Sequence, residues 1–359
     1  MNNNIVIAGG GTGGHIYPGV AIARAIQKHD PTVHIHFVGT STGLETKIIP
    51  KEGFPLHLIQ GGKLNFSGGI GEKIKTLIKL PIGLIQSFIL LLKLKPSFVL
   101  GVGGYASGPF VVMAALMGYP SAIWEPNAHP GMANRWLSRF VDRCYIVFDQ
   151  AKTLLKNKNI IQFGMPIRAE IEAGQFAERQ DSDFHLLSFG GSQGSRAIST
   201  VLSDLLLRRP DWAKDLKVVH QIGSTDWEKM RAKYKGTEDF ITPMEFIYDM
   251  PKYYAWADLV VSRAGASTLS ELAAFGVVSI VIPLPAADDH QKHNADALVQ
   301  AGAAVMILQK DLTPETLQIE IQKLKNNPEL RKKMSESLKK FYIPKSADNI
   351  AQDILSIQK

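Results

Sequence analysis

Residues 5–15 read IVIAGGGTGGH and determine the fold class expected for the first half of the chain. Ile5 to Ala8 is a short apolar run, Gly9 to Gly14 is a glycine-rich turn, and a helix is predicted from about Pro18 to Lys28. A buried strand that enters a helix through glycine is typical of a parallel α/β sheet. Val33 to Val38 is predicted as the next strand.

The same scheme starts again near the middle of the chain. Phe184 to Phe189 reads as a strand, residues 190–194 (GGSQG) as a glycine loop, and Ser195 to Leu206 as a helix. Further on, Leu259 to Val261 leads into a second turn and a helix from Thr268. The pattern predicts two tandem Rossmann-like, doubly wound α/β domains that face each other across a cleft.

The boundary between the two domains is placed after residue 165. Residues 1–165 form the predicted N-terminal domain and residues 166–359 the C-terminal domain, and the polar stretch Glu172 to Asp183 reads as part of the connection. Ala347 to Ile357 has helical spacing. This last helix is expected to pack back across a domain, the N-terminal one in our assignment.

Composition narrows the class of protein. Hydrophobic residues make up 45% of the 359 residues and charged residues 20%, which is typical of a chain with packed cores. Cys144 is the only cysteine, so no internal disulfide is expected and a reducing compartment is favoured. The apolar stretch Ile82 to Leu92 is too short to span a bilayer, and neither a transmembrane helix nor a signal peptide is predicted. The net charge of +7 suits nucleic acid, anionic lipid or a phosphorylated substrate.

The first glycine loop fits the dinucleotide fingerprint, but its context does not. Gly9, Gly11 and Gly14 satisfy G-x-G-x-x-G between a strand and a helix. A dinucleotide site also needs an acid at the end of the second strand, whereas Asp30 precedes that strand and the next acid is Glu45. Glycine loops at helix starts bind anions generally, so one loop in each half suits two diphosphate-bearing partners. The alternative is that these turns only let strands pack against helices.

Several other chemistries are disfavoured. The sequence has no P-loop, no H-E-x-x-H, no clustered Cys and His and no EF-hand, so neither an NTPase nor a metal site is indicated, and no cofactor is expected. Residues 181–183 (DSD) resemble a D-x-D metal clamp but precede their strand, so we interpret them as a solvated linker. No nucleic-acid-binding motif accompanies the positive charge.

Six motifs spread over nearly the whole chain occur together. They are residues 10–15 (GGTGGH), 103–109 (GGYASGP), 125–127 (EPN), 164–168 (GMPIR), 190–194 (GGSQG) and 263–271 (RAGASTLSE). In kind and order they resemble the MurG family of GT-B glycosyltransferases. The resemblance implies inverting, metal-independent transfer of N-acetylglucosamine from UDP-GlcNAc to the C4 hydroxyl of N-acetylmuramic acid in lipid I, which forms lipid II for peptidoglycan synthesis. It also implies a peripheral protein on the cytoplasmic face of the cell (inner) membrane.

The resemblance further implies that the C-terminal domain holds UDP-GlcNAc and the N-terminal domain holds lipid I. Glu271 would accept hydrogen bonds from the ribose hydroxyls, although a solvated helix charge is its alternative. Ser192 and Arg168 would stabilise the diphosphate, although Arg168 could be an interdomain surface charge. Ile247 would present backbone groups to uracil beside Phe246, for which a core role is the alternative. The other implied substrate contacts are Thr12, Gly13, Gly14, Asn127, Ala266, Ser267, Thr268, Leu269, Ser270 and Gln291.

His15 is the candidate general base. It ends the first glycine loop, and imidazole can be a neutral base near physiological pH. The alternatives are that it orients the acceptor, binds a diphosphate oxygen or is structural, and Glu125 is a weaker candidate for the base. Two positions depart from the family pattern: Pro126 stands where glutamine is usual, and His290 takes the first place of a glutamine pair that ends at Gln291. Proline has no N–H, which puts backbone contacts from position 126 in doubt.

The segment from 61 to 95 is predicted to contact an anionic membrane surface. It carries Lys73, Lys75 and Lys79 near apolar side chains at helical spacing. For Leu84 to Leu92 a core helix of the sheet is the favoured alternative. Besides UDP-GlcNAc, lipid I and the membrane, other cell-wall synthesis proteins are candidate partners. The competing functions are a related GT-B transferase with another lipid-linked or sugar acceptor, and a non-catalytic nucleotide-sugar-binding membrane scaffold.

Overall fold

A computed structural model of the chain describes residues 3–62, 70–167, 171, 182–191, 193–208, 211–286 and 288–358, with the side chains of 70–79 excepted. Its contacts divide the chain into two compact units. The first comprises Met1–Arg168 together with Ile343–Lys359, and the second comprises Ala169–Tyr342. Each unit contains one parallel sheet with helices packed on it, as the alternating pattern of the sequence predicted.

The sheet of the first unit has seven strands. In chain order they are β1 Asn4–Gly9, β2 His34–Gly39, β3 Leu56–Leu58, β4 Phe98–Gly103, β5 Ser121–Glu125, β6 Arg143–Ile146 and β7 Ile160–Gln162. Their order across the sheet is β3-β2-β1-β4-β5-β6-β7, and every neighbouring pair is parallel. The strand order therefore reverses between β1 and β4. In open α/β sheets, ligands bind beyond the carboxyl ends of the strands at such a reversal.

Within the described residues, five helices of the first unit connect these strands. They are α1 Gly13–His29, α2 Glu45–Lys51, α3 Ile70–Leu94, α4 Ser107–Leu116 and α5 Met132–Leu137, and a 3₁₀ helix covers Asp149–Thr153. The predicted start of α1 at Pro18 was wrong, because the helix begins at Gly13 and contains Pro18. Pro18 is the sixth residue of the helix, where it removes one i→i−4 hydrogen bond and its ring crowds the carbonyl of Gly14, and the helix continues through it. In the described parts of the chain, no helix combines the length and the apolar character needed to cross a membrane.

The second unit has a six-stranded sheet. Its strands are β8 Phe184–Phe189, β9 Leu216–Gln221, β10 Ile241–Met244, β11 Leu259–Ser262, β12 Ser279–Val281 and β13 Val305–Met306. The order β10-β9-β8-β11-β12-β13 reverses between β8 and β11. The helices are α6 Arg196–Leu206, α7 Trp227–Lys233, α8 Met250–Trp256, α9 Ala266–Phe275, α10 His290–Gln300, α11 Pro314–Lys325 and α12 Pro328–Lys339, with 3₁₀ helices at Asp211–Ala213 and Gln309–Asp311. Ser195, predicted as the first residue of α6, is its N-cap.

The last helix, α13 Ser346–Ile357, belongs to the first unit, where it packs against α1. Asp348 accepts hydrogen bonds from Lys28 Nζ at 3.1 Å and from His29 Nε2 at 2.8 Å. At the other end of the helix, the hydroxyl of Tyr145 donates to Asp353 at 2.7 Å. Two carboxylates therefore fasten this helix to α1 and to β6.

A fully buried histidine lies in the core of the second unit. His220 of β9 has its Nδ1 2.8 Å from the Tyr234 hydroxyl and its Nε2 3.0 Å from Ser199 Oγ. Burial disfavours the charged imidazolium and lowers the pKa of His220 from 6.5 to about 3. Between pH 6.5 and about 3 the imidazole is therefore neutral in the folded unit but protonated in the unfolded chain.

We expect His220 to make the protein less stable in acid. Between pH 6.5 and about 3 only the unfolded state binds this proton. The free energy of unfolding therefore decreases as the pH is lowered through this range, by up to about 1.4 kcal/mol per pH unit. His220→Phe should flatten this dependence in urea denaturation. Ser199→Ala is the control: it removes one hydroxyl partner but keeps the imidazole, so the slope should match that of the parent. Equal slopes for parent and His220→Phe would contradict the assignment.

Candidate functional site

The candidate residues lie at the carboxyl ends of the strands in both sheets. In the first unit, the loop that follows β1 contains residues 10–12 and the loop that follows β4 contains residues 104–106. In the second unit, residues 190–195 follow β8 and residues 263–265 follow β11. Each unit thus places two glycine-containing loops at the reversal of its strand order, where open α/β sheets bind ligands.

The two loops of the first unit support each other through their backbones. The N–H of Gly10 donates to the Gly103 carbonyl at 3.1 Å, and any side chain on Gly104 would collide with the backbone of Gly10. Thr12 is the N-cap of α1, so Gly13 and Gly14 supply its first N–H groups. N–H groups in the first turn of a helix have no intrahelical partners and can bind an anion.

The ring of His15 is held between these two loops. Nδ1 lies 3.3 Å from the Gly10 carbonyl oxygen. Because this oxygen can only accept, the contact favours the tautomer with the proton on Nδ1 and the lone pair on Nε2. A Cβ atom on Gly103 would lie 3.0 Å from the ring, and Gly103 has a φ of +95°, which favours glycine. The sequence predicted the residue, whereas the tautomer follows only from the structure.

Glu125 is buried at the end of β5 and has a structural role. Its carboxylate accepts hydrogen bonds from Asn127 N (2.9 Å) and Nδ2 (3.1 Å), Gly131 N (3.1 Å) and Asn134 Nδ2 (2.9 Å). Four donors occupy the lone pairs that a base would use, so the weaker candidate for the base is disfavoured. Pro126 removes no hydrogen bond from this loop, because the backbone N–H groups that Glu125 accepts from belong to residues 127 and 131. Asn127 is half-buried beside it.

A buried acid that the sequence did not identify as functional lies under the first glycine loop. Glu45, the second acid weighed in the dinucleotide argument, is 1% exposed. Its Oε2 accepts from the Gly11 N–H at 2.7 Å, and its Oε1 accepts from the N–H and the hydroxyl of Thr40, both at 2.9 Å. The only signal in the sequence was an acid shortly after β2, and its spacing did not show where the side chain would reach.

In the second unit, Gln221 connects the glycine loop to the segment that follows β10. Its Nε2 donates to the Gly191 carbonyl at 2.7 Å, and its Oε1 accepts from the Ile247 N–H at 3.1 Å. No motif of the sequence includes Gln221, and the available signal was a polar side chain at the carboxyl end of a buried strand. The contact limits the expectation that Ile247 offers backbone groups to a ligand, because its N–H is already used within the unit.

The helix α9 begins at Ala266, with Gly265 as its N-cap. Ala266, Leu269 and Ser270 are buried, whereas Ser267 and Thr268 are half-buried. The buried three were predicted as ligand contacts, and their side chains instead pack inside the unit. The N–H of Leu269 also donates within the helix, to the Gly265 carbonyl at 3.0 Å, so of the three only Ala266 lies in the first turn, where N–H groups have no intrahelical partner.

Glu271 is half-buried and is held in place by a neighbouring helix. The hydroxyl of Tyr254 in α8 donates to its Oε2 at 2.8 Å. Tyr254 itself is 1% exposed and its ring packs against Phe275 at a centroid distance of 5.3 Å. A carboxylate fixed by a buried tyrosine is unlike a freely solvated helix charge, so the solvated alternative is disfavoured.

Gln291 stabilises two loops of the second unit. Its Oε1 accepts from the Ala264 N–H at 3.2 Å and from the Leu284 N–H at 2.9 Å. This oxygen is therefore engaged within the protein, and the amide NH₂ is the group of Gln291 to assign to a ligand. His290, which departs from the family pattern, lies 3.6 Å from the carboxylate of Asp288.

Arg263, which the sequence placed in a motif without a role, is buried beneath the loop that follows β11. It donates to the carbonyls of Ile282 at 3.1 Å and Pro283 at 3.3 Å, and to Gln309 Oε1 at 2.7 Å. Burial lowers the pKa of its guanidinium. Three protein acceptors surround this cation, so we assign it to holding the loop.

Some predicted residues cannot be placed. Arg168 and Ser192 lie outside the described residues, and so do the side chains of Lys73, Lys75 and Lys79 in α3. Asp181 of the D-x-D-like triplet also lies outside them. Among the described residues, no group of three or more His, Cys, Asp or Glu side chains is arranged to hold a metal ion.

Comparisons with known proteins match the whole chain. The family model for the glycosyltransferase family 28 N-terminal domain covers residues 5–146, and the model for the C-terminal domain of that family covers residues 185–350. A Bdellovibrio bacteriovorus protein is 59% identical over 355 residues, which are 99% of both chains. It is named UDP-N-acetylglucosamine--N-acetylmuramyl-(pentapeptide) pyrophosphoryl-undecaprenol N-acetylglucosamine transferase. A protein of the same name from Myxococcus xanthus is 42% identical over 97% of this chain and 91% of its own length.

Solved structures show the same architecture. The crystal structure of Acinetobacter baumannii MurG matches with a TM-score of 0.81 and 28% identity, over 99% of both chains. The S. aureus MnaA–UDP structure matches with a TM-score of 0.68 and 13% identity, over 99% of this chain and 97% of its own. At that identity the second likeness concerns the fold alone.

We expect Gln221→Leu to weaken the binding of UDP. The change leaves the Gly191 carbonyl and the Ile247 N–H without their partner, which destabilises this loop arrangement by roughly 1–3 kcal/mol. Because the ligand then has to order the loop on binding, calorimetry should show about a tenfold loss of affinity. Ser203→Ala is the matched control, since it removes another buried hydrogen bond, to the Thr200 carbonyl, from the same unit. An affinity for Gln221→Leu equal to that of the control would contradict the role.

Proposed function

The chain belongs to glycosyltransferase family 28, and from this premise we propose that it transfers N-acetylglucosamine from UDP-GlcNAc to lipid I and so forms lipid II for peptidoglycan synthesis. One observation carries the proposal: 59% identity over 99% of the chain to a transferase of that name. The predicted membership of the MurG family and the predicted GT-B fold are both confirmed by the comparisons.

We assign the donor to the second unit. Glu271, fixed by Tyr254, offers a carboxylate oxygen to the ribose hydroxyls, and the Ile247 carbonyl offers an acceptor to the uracil N–H. The loop of residues 190–195 precedes α6, so N–H groups and the positive end of a helix meet there. Ser192 and Arg168 are assigned to the diphosphate from the family motif alone.

We assign the lipid acceptor to the first unit. Its loops at 10–14 and 104–106 and the half-buried Asn127 lie at the carboxyl ends of β1, β4 and β5, which are neighbours in the sheet. The first N–H groups of α1 suit the diphosphate of lipid I. His15 stands in the same turn, with its lone pair on Nε2.

The reaction that follows is a direct displacement. Nε2 of His15 takes the proton of the C4 hydroxyl of N-acetylmuramic acid while the oxygen bonds to the anomeric carbon of the donor. The bond from that carbon to the β-phosphate oxygen breaks, and UDP leaves with the electron pair. One displacement at this carbon inverts its configuration. N–H groups and Arg168 take the role that a metal ion has in other transferases, so we propose that the reaction needs no metal.

We also propose that the first unit lies on an anionic membrane surface as a peripheral protein at the cytoplasmic face. Support comes from the described side chains of α3, residues 80–94, among which Leu91 and Leu94 are buried and five large apolar ones are exposed. These are Ile82, Ile85, Phe88, Ile89 and Leu92. On α4 and α5, Leu116, Met132 and Trp136 are exposed as well, beside an apolar cavity of about 710 Å³ whose lining includes Arg135, Arg139 and Lys156. Apolar side chains with basic ones suit an anionic interface. The alternative that residues 84–92 form a core helix of the sheet therefore describes only the buried side of this helix.

Transfer to lipid I is the test of the function. The purified protein with UDP-GlcNAc and lipid I should release UDP and form lipid II, also in the presence of EDTA. Polyprenyl diphosphate without sugar, or a lipid-linked sugar that lacks N-acetylmuramic acid, should release much less UDP. Equal UDP release with all acceptors would contradict lipid I as the acceptor, and loss of turnover in EDTA that Mg²⁺ restores would contradict metal independence.

The base assignment predicts a selective loss in His15→Ala. Removing a general base should lower single-turnover transfer by roughly 10²–10⁴-fold while UDP-GlcNAc affinity stays nearly unchanged. The measurement pairs rapid-quench transfer with calorimetry of donor binding. A loss under fivefold, or one matched by weaker donor binding, would contradict the assignment.

The exposed face of α3 predicts membrane affinity. Changing Ile85 and Ile89, each 59% exposed, to serine should reduce binding to vesicles of anionic lipid by about tenfold, because two apolar side chains no longer enter the interface. Ile319→Ser is the control, since Ile319 is 61% exposed but lies in the second unit. If all variants bind vesicles like the parent in a sedimentation assay, this surface does not contact the membrane.

A further inference from the structure

We infer that Glu45 is a positioning residue for His15 and acts on it through the one peptide bond between Gly10 and Gly11. The inference rests on the proposed role of His15 as the base. The hydrogen bonds of Glu45 go to Gly11 and Thr40 and not to the ring. Its effect passes through an amide that donates one hydrogen bond with its N–H and accepts another with its carbonyl oxygen.

The peptide group between Gly10 and Gly11 is held from both sides. Its N–H, from Gly11, donates to Oε2 of Glu45 at 2.7 Å. Its C=O, from Gly10, accepts from Nδ1 of His15 at 3.3 Å. The order is therefore carboxylate, amide and imidazole, with each group donating to the one before it.

Hydrogen bonds in such a chain polarise one another. A carboxylate on the N–H side makes the carbonyl oxygen of the same amide more negative, which strengthens its bond from an imidazole N–H. The consequence for His15 is the tautomer with the proton on Nδ1 and the lone pair on Nε2. A buried aspartate does this by direct contact in the Ser-His-Asp triad, whereas here one amide intervenes.

The surroundings of Glu45 are built to keep its carboxylate buried. A Cβ atom on Gly10, Gly39 or Gly43 would collide with the Glu45 side chain, so three glycines make room for it. The N–H and hydroxyl of Thr40 satisfy its other oxygen. Burying a charge is costly unless hydrogen bonds compensate it, and holding the loop alone would need only a neutral acceptor. Polarisation of the amide next to His15 is a role that requires the negative charge of Glu45, which loop support does not.

Two variants separate positioning from loop support. Glu45→Gln is nearly isosteric and removes the charge, and its single amide oxygen cannot serve Gly11 and Thr40 together. Thr40→Val removes one hydrogen bond to Glu45 but leaves the carboxylate on the Gly11 N–H. Both variants loosen the same buried cluster, and the shift in Tm on thermal unfolding measures how far each of them does so. Only Glu45→Gln removes the negative charge that polarises the amide next to His15.

The measurement joins kinetics to the state of the ring. We would record single-turnover transfer, UDP-GlcNAc affinity and the ¹⁵N and ¹³C resonances of labelled histidine, with His15 identified by its absence in His15→Ala. In Glu45→Gln, transfer should fall roughly tenfold or more, the value of one charge-assisted hydrogen bond, with donor affinity kept. The His15 signals should move from the Nδ1–H tautomer towards a mixture. Thr40→Val should keep both rate and tautomer.

The possible results are distinguishable. Equal losses of rate in Glu45→Gln and Thr40→Val with an unchanged His15 tautomer would overturn the inference and leave His15 as the base. A changed tautomer without loss of transfer would also overturn it. If His15→Ala itself transfers at the parental rate, the proposed base fails, and the resonances still report whether Glu45 controls the ring.

Discussion

Side-chain oxygens that accept backbone N–H groups hold the loops at the carboxyl ends of both sheets. Glu45 and Glu125 do this in the first unit, and Gln221 and Gln291 do it in the second. A glycine loop is costly to order, because glycine loses more conformational freedom on folding than other residues. These acceptors offset that cost and fix the direction of each loop. Without them the N–H groups at the helix starts would not be set for an anion.

This constraint separates the residues that hold the site from the residues that use it. Glu125, Arg263 and the oxygen of Gln291 are engaged with the protein itself. The His15 ring contacts the Gly10 carbonyl oxygen, and the Glu271 carboxylate accepts a hydrogen bond from the Tyr254 hydroxyl. Preorganised side chains such as these contribute to catalysis because they need little reorganisation during the reaction.

Much of the fold and part of the site could be predicted from the sequence. β8 was placed at its observed residues, because a short, mostly apolar run that ends in a glycine loop is typical of a buried strand. The start of α1 was missed because Pro18 reads as a helix start although it lies inside the helix. Glu45 and Gln221 could not be found, since each reaches a backbone group far along the chain. The use of the Ile247 N–H within the protein was hidden for the same reason.

The central claim is that the second unit, with its loops held in this way, binds the sugar nucleotide. A crystal structure with UDP-GlcNAc tests it most directly. We expect the diphosphate against the N–H groups of residues 190–195, the ribose hydroxyls on Glu271 and uracil at the Ile247 carbonyl. A nucleotide bound instead at the 10–14 loop of the first unit, or with its ribose away from Glu271, would contradict the account.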